Sequence, residues 1–131
     1  MIIAIDPGTE KIGIAVLDVG KVYYRLILSR ATLVKSITEQ LNDFSISEIV
    51  IGGSTGSAPV LAEVRKSFPN VQIECVPETS STLDARKRYW KENSPRGFLR
   101  LIPCSLLTPP RPIDDYAAII IGERYLKTRE D

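Results

Sequence analysis

The sequence predicts an α/β fold. Its single mixed sheet has five strands in the order 3-2-1-4-5, with the second strand antiparallel, and is flanked by helices. Three observations lead there. Three β-rich runs open the chain with only short turns between them, which makes an antiparallel meander. The pattern then changes to helical spacing and alternates helix with strand. Two of the strands, Ile2–Ile5 and Glu48–Gly52, are apolar on both faces, so they belong side by side in the middle of the sheet.

Each element has its own grounds. Ile2–Ile5 is a short apolar run ending at Asp6 and the Pro7-Gly8-Thr9 turn. Lys11–Asp18 is the second strand. Val19-Gly20 suits a tight hairpin into Lys21–Ser29, which is rich in Val, Tyr, Leu and Ile. Leu33, Ile37, Leu41 and Phe44 then recur at helical spacing, which predicts an amphipathic helix over Ala31–Asp43. After Glu48–Gly52, Ser57-Ala58-Pro59 starts a second helix, with Ser57 as its cap and proline in the first turn, and Pro69-Asn70 stops it. Val71, Ile73 and Cys75 alternate with Gln72 and Glu74, a strand with one wet face that belongs at the edge. Ser80–Thr82 caps a third helix running to about Glu92. Asn93–Pro112 is a proline-rich loop with room for a helical turn around Leu99–Leu107. Ile113–Leu126 is the last helix, and Lys127–Asp131 a frayed polar tail.

At 131 residues the chain reads as one domain, able to bury about two-thirds of the surface it exposes unfolded. No apolar run approaches the ~20 residues of a membrane span, and no signal peptide opens the chain. A cytoplasmic location is therefore expected. Cys75 and Cys104 are isolated and form no CxxC, which predicts two free thiols in a reducing compartment. The chain has no histidine. That removes zinc sites of the usual kind, the Ser-His-Asp triad, the Cys-His pair and a histidine general base.

Net charge is only +1, but it is unevenly spread. Between Asp84 and Arg111, seven cations (Arg86, Lys87, Arg88, Lys91, Arg96, Arg100 and Arg111) face two carboxylates, Asp84 and Glu92, a local +5. Such a segment can hold a polyanion. Tyr89 and Trp90 lie inside it, where they either stack on bases or belong to the core.

Three carboxylates fall at the ends of elements. Asp6 follows the first strand, Glu78 follows Val71–Val76, and Asp114 begins the last helix. The first, fourth and fifth strands run parallel, so their C-terminal ends open on one rim, where open α/β sheets carry their ligand sites. Each residue also has a plainer reading: Asp6 as a turn residue, Glu78 as a solvated neighbour of a helix start, Asp114 as an N-cap. Together they make a hard oxygen site suited to Mg²⁺ or Mn²⁺. Two such ions about 4 Å apart can drive phosphodiester hydrolysis without a histidine.

Three segments carry a family resemblance. IIAIDPGTEKIGIAVLD, VPETSSTLDARKRY and IDDYAAIIIGERYL, with IVIGGSTGS between the first two, resemble the YqgF family, also called RuvX, of pre-16S rRNA nucleases and Holliday junction resolvase-like proteins. The resemblance spans nearly the whole chain. It implies an RNase H-like fold and a metal-dependent nuclease using Mg²⁺ or Mn²⁺ on structured RNA or branched DNA, as monomer or homodimer. It places the acidic triad on Asp6, Glu78 and Asp114, with Asp115 adjacent and able to substitute. The chain departs from the family at Pro77-Glu78-Thr79, where Asp-Glu-Arg is common, at Gly52–Ser57, where proline is usual, and in the length of Asn93–Pro112.

In this reading Lys11 meets a substrate phosphate or is simply exposed. Ser81 and Thr82 donate to a phosphate or cap their helix. Gly53–Ser57 wraps a backbone or is an ordinary loop. Arg86, Arg88, Lys91, Arg96 and Arg100 hold the polyanion. A second hypothesis keeps the fold and the basic surface without catalysis, as a nucleic-acid-binding domain. A third rests on Asp-Pro-Gly-Thr, which also resembles the first phosphate loop of sugar kinases and actin-like ATPases. Those proteins need two such domains, and this chain has one.

Overall fold

Side-chain alternation in the first strand divides the core in two. Ile2 and Ala4 point to one face of the sheet, Ile3 and Ile5 to the other, and all four are buried. The structure is a computed structural model that describes residues 1–8, 11–53, 57–77, 81–93 and 113–130. Its strands are β1 (Ile2–Pro7), β2 (Ile12–Asp18), β3 (Lys21–Leu28), β4 (Glu48–Gly53) and β5 (Gln72–Pro77). They form one sheet in the order β3-β2-β1-β4-β5. β1 pairs antiparallel with β2 and parallel with β4, β2 pairs antiparallel with β3, and β4 pairs parallel with β5. The sheet is the one the sequence predicts. Gly20, at φ 77°, closes the β2–β3 hairpin in a conformation that suits glycine.

Helices α1 (Leu33–Asp43) and α2 (Ser57–Ser67) cover one face. There Leu33, Ile37, Val60 and Val64 pack against Ile3, Ile5, Ile14, Val16, Ile49 and Ile51. Helices α3 (Ser81–Glu92) and α4 (Asp114–Glu130) cover the other, with Ala85, Tyr89, Tyr116, Ala118 and Ile119 on Ile2, Ala4, Ala15, Leu17 and Val50. α4 lies very close to the sheet. A Cβ on Gly122 would stand 3.0 Å from that of Ala4 and 2.6 Å from a Leu17 methyl. α3 is tied to α4 by Arg88–Glu123 (2.5 Å) and by Arg124–Asp84.

Several boundaries differ from the sequence reading. β1 continues through Pro7 instead of ending at Ile5, because Asp6 and Pro7 pair in register with Gly13 and Ile12. Arg30–Thr32 is a 3-10 turn leading into α1, so the helix starts at Leu33 and not at Ala31. α2 begins with Ser57 itself, so Ser57 is its first residue, not its cap. α4 runs to Glu130, past the frayed tail expected from Lys127, because packing outlasts the apolar run. Tyr125 Oη donates to buried Glu48 at 2.8 Å, one residue from the Arg124–Asp84 pair. β5 is an edge strand, yet Cys75 is exposed on it, and Ile73 and Val76 pack on opposite cores. Cys75 is a free thiol. Tyr89 is a core residue, and Trp90 packs half-buried against the same core. Tyr89 is buried and stacks edge-on against Tyr116 (5.7 Å) and Trp90 (5.0 Å), which rules out Tyr89 as a platform for bases. The turn expected around Leu99–Leu107 and Cys104 lie outside the described residues.

Candidate functional site

β1 alternates two residues per repeat, so Asp6 shares the face of Ile2 and Ala4, under α3 and α4. Its cross-strand partner on β2 is Gly13, which faces the same way. The missing side chain at Gly13 is where the site is made. A Cβ there would fall 1.8 Å from the Asp114 carbonyl oxygen and 2.2 Å from its carbon. The first turn of α4 therefore sits in the space a side chain would fill, directly beside Asp6. A glycine inside an apolar strand often marks such a close backbone approach.

The turn after β1 is shaped to the same end. Gly8 N–H donates to the Asp6 carbonyl across Pro7, at 3.1 Å. A Cβ on Gly8 would lie 2.1 Å from the Lys11 carbonyl oxygen and 3.8 Å from Asp114 Oδ1. The Asp114 carboxylate thus lies close to Gly8. Asp6 is 8% exposed and Asp114 half-buried. Burial pushes the Asp114 carboxyl above its ordinary value. Its own backbone N–H and the charge of Lys11 pull it down, and neighbouring Asp115 adds a smaller upward push. Lys11 is exposed at the rim.

Asp115 faces elsewhere. It is 4% exposed, and its Oδ1 accepts the Tyr116 N–H at 3.0 Å. Its Oδ2 lies 3.2 Å from Arg25 Nε on β3. The Arg25 guanidinium also lies 4.7 Å over the Tyr116 ring and 3.9 Å from Glu92. Arg25 and Gly13 are the two residues that sequence reasoning passed over. Gly13 carried a readable signal, a glycine between Ile12 and Ile14. Arg25 carried only a weak one, a cation inside an apolar strand.

The other predicted residues divide as follows. Asp6 and Asp114 are brought together. Glu78 follows Pro77, the last residue of β5, in the sequence and is outside the described residues. Arg96 and Arg100 are also outside them. Ser81 and Thr82 open α3, and their side chains are not among those described. Gly53 ends β4 and Ser57 starts α2, with residues 54–56 outside. On α3, Arg86 is half-buried, Arg88 is paired with Glu123, and Lys91 is exposed. Lys91 lines a cleft of about 460 Å³ with Lys87, Arg88, Glu92 and Ile120.

The donor set fits a hard divalent cation in kind, since it is carboxylate oxygen alone. Among the described residues no group of three or more His, Cys, Asp or Glu side chains is placed to hold a metal ion. The sequence offers Glu78 as a third carboxylate after Asp6 and Asp114.

No family model matches this chain, and no curated protein sequence does. Solved structures do. Thermus thermophilus RuvC in complex with a Holliday junction substrate superposes with a TM-score of 0.64 at 17% identity, covering 98% of this chain and 94% of that one. Thermus thermophilus RuvC in a second structure gives 0.59 at 14% identity, covering 98% and 95%. The fold is RNase H-like. Fowlpox virus resolvase, in complex with its Holliday junction DNA substrate, also gives 0.59, at 9% identity and 99% coverage of both chains. Identities this low speak to the fold. No helix among the described residues is long and apolar enough to cross a membrane.

Proposed function

We propose that this chain is a metal-dependent nuclease of the YqgF/RuvX kind, hydrolysing phosphodiester bonds in structured nucleic acid, branched DNA or precursor rRNA, in the cytoplasm. One observation carries the reading: Gly13 admits the first turn of α4 against the end of β1, so Asp6 and Asp114 share one rim. The solved structures with this fold include two resolvases bound to Holliday junctions, which makes a four-way DNA junction the first substrate to test.

In this reading Asp6 and Asp114 hold Mg²⁺ or Mn²⁺, with Glu78 as the third ligand. The bound ions supply water activation and charge stabilisation at the leaving oxygen of an in-line displacement. The chain's own residues do the rest. Arg25 keeps Asp115 turned into the protein, which fixes the helix turn bearing Asp114. Asp115 is thus a brace in place of a ligand. Lys11, exposed beside Asp114, meets a substrate phosphate. Ser81 and Thr82 sit in the first turn of α3, where hydroxyls and backbone N–H groups suit a phosphate. Arg86, Lys91, Arg96 and Arg100 add attraction for the polyanion, and Arg88 does so less because Glu123 neutralises it.

The test incubates wild type and Asp6→Asn with Mg²⁺ or Mn²⁺ and a panel of four-way DNA junctions, structured precursor rRNA and single-stranded RNA. Cleavage by wild type alone is expected, and the preferred panel member names the substrate. Binding by both proteins with cleavage by neither would favour a non-catalytic nucleic-acid-binding domain. The Pro77 and Thr79 departures beside Glu78 would then be the first suspects.

A further inference from the structure

Several of the described cations are neutralised by carboxylates. Arg25, Arg30, Arg88 and Arg124 are each paired with a carboxylate: Asp115, Glu63, Glu123 and Asp84 respectively. Lys87 and Lys91 are different. They are exposed, and among the described residues neither is in an ion pair. They stand one helical turn apart on α3, so their side chains lie on one face, about 6 Å apart along the axis. That face opens into the cleft of about 460 Å³ between α3 and α4, lined also by Ile120, Arg88 and Glu92.

We infer that this cleft is a second nucleic-acid site, in which Lys87 and Lys91 bind the phosphate backbone away from the bond that is cut. The inference deepens the proposed reading, which already gives Lys91 to the polyanion, by adding Lys87 and placing both in this cleft. Its position follows from the chain. Glu92 at one end of the cleft reaches Arg25, which holds Asp115, the neighbour of Asp114. Ile120 lies six residues further along α4, about 9 Å from Asp114 by helical rise. A backbone lying in the cleft therefore passes beside the catalytic rim without occupying it. The chemistry fits a polyanion. The two lysines are point charges on flexible stems, suited to phosphates in any sequence. They also lie within the +5 segment of a chain whose net charge is +1. Arg88 sits in the same cleft, held out of use by Glu123.

Counterion release makes the assignment measurable. Each lysine that neutralises a duplex phosphate contributes about −0.9 to the slope of log K against log salt. The experiment measures binding of a labelled four-way DNA junction by fluorescence anisotropy, without divalent metal, across a range of KCl concentrations. Wild type is compared with Lys87→Ala/Lys91→Ala and with Glu123→Gln, each checked for folding by thermal melting. The double variant is expected to have a slope shallower by about 1.8. Glu123→Gln, which releases Arg88, is expected to steepen it by about 0.9. An unchanged slope in the double variant overturns the assignment. If the wild type nevertheless cuts the junction, the nuclease reading survives that failure. A flattened slope with no cleavage by wild type does the reverse, keeping the cleft and removing the nuclease.

Discussion

Gly13→Ala is the perturbation that most directly separates site geometry from simple stability. The new methyl would lie 1.8 Å from the Asp114 carbonyl oxygen, 2.2 Å from its carbon and 2.8 Å from the Asp115 nitrogen. All three are backbone atoms, so no side chain can swing away. Relief to an ordinary contact of about 3.4 Å requires the start of α4 to withdraw by about 1.6 Å. Overpacking of this kind costs about 1–3 kcal/mol. A displacement of about 1 Å in a catalytic group can cost about 100-fold in rate. Gly13→Ala should therefore lower kcat at least about 100-fold while lowering the melting temperature by several degrees. Gly20→Ala is the matched control. Its Cβ meets nothing within 4 Å, but φ is 77°, so it costs about 1–2 kcal/mol through backbone strain alone. It should reduce stability to a similar extent and leave cleavage within about threefold. The assay is single-turnover cleavage alongside thermal melting of both variants. Equal activity in the two variants, at equal loss of stability, would refute the claim that the first turn of α4 belongs to the site.

Three further outcomes follow from named contacts. A carboxyl raised above its unfolded value of 3.8 binds protons more readily in the native state, so its contribution is complete below that pH and is lost as pH rises through the native value. Asp114→Asn should thus raise the melting temperature of the metal-free protein at pH 7, with the gain fading toward pH 4, as melting across a pH series would show. Arg25→Ala leaves buried Asp115 without its guanidinium. Arg25 is itself 43% exposed, which reduces the loss to about 1–2 kcal/mol by denaturant titration, and kcat should fall more than KM changes because Asp114 is displaced. Tyr125→Phe removes the donor to Glu48 at the opposite end of β4 from the rim. It should cost about 1–2 kcal/mol in the same titration and leave kcat unchanged.

The sheet order was legible because two both-face apolar strands and an opening meander admit few arrangements. Ile2–Ile5 and Glu48–Gly52 had to be neighbours, and β1 and β4 do pair in parallel. What local pattern could not convey was how α4 meets the sheet. Gly13 and Gly122 matter through the atoms opposite them, Asp114 and Ala4, which lie far away in sequence. The same limit explains Tyr89. A basic, aromatic helix face looks like a base-stacking surface until Tyr116 is seen to cover it. It explains the helix end as well, since Arg124 and Tyr125 are anchored by Asp84 and Glu48, partners that helical propensity alone does not reveal. That the start of α4 comes to the end of β1 was legible from topology, whereas the engagement of Asp115 by Arg25 was not.

Binding of Mn²⁺ to wild type, Asp6→Asn and Asp114→Asn, followed by electron paramagnetic resonance of the free ion, tests the central claim most directly. If Asp6 and Asp114 form one site, wild type binds the ion and each substitution weakens binding at least about tenfold, the range seen when a metal site loses even a supporting group. Equal binding by all three proteins would contradict the account, because the two carboxylates would then have no shared ligand.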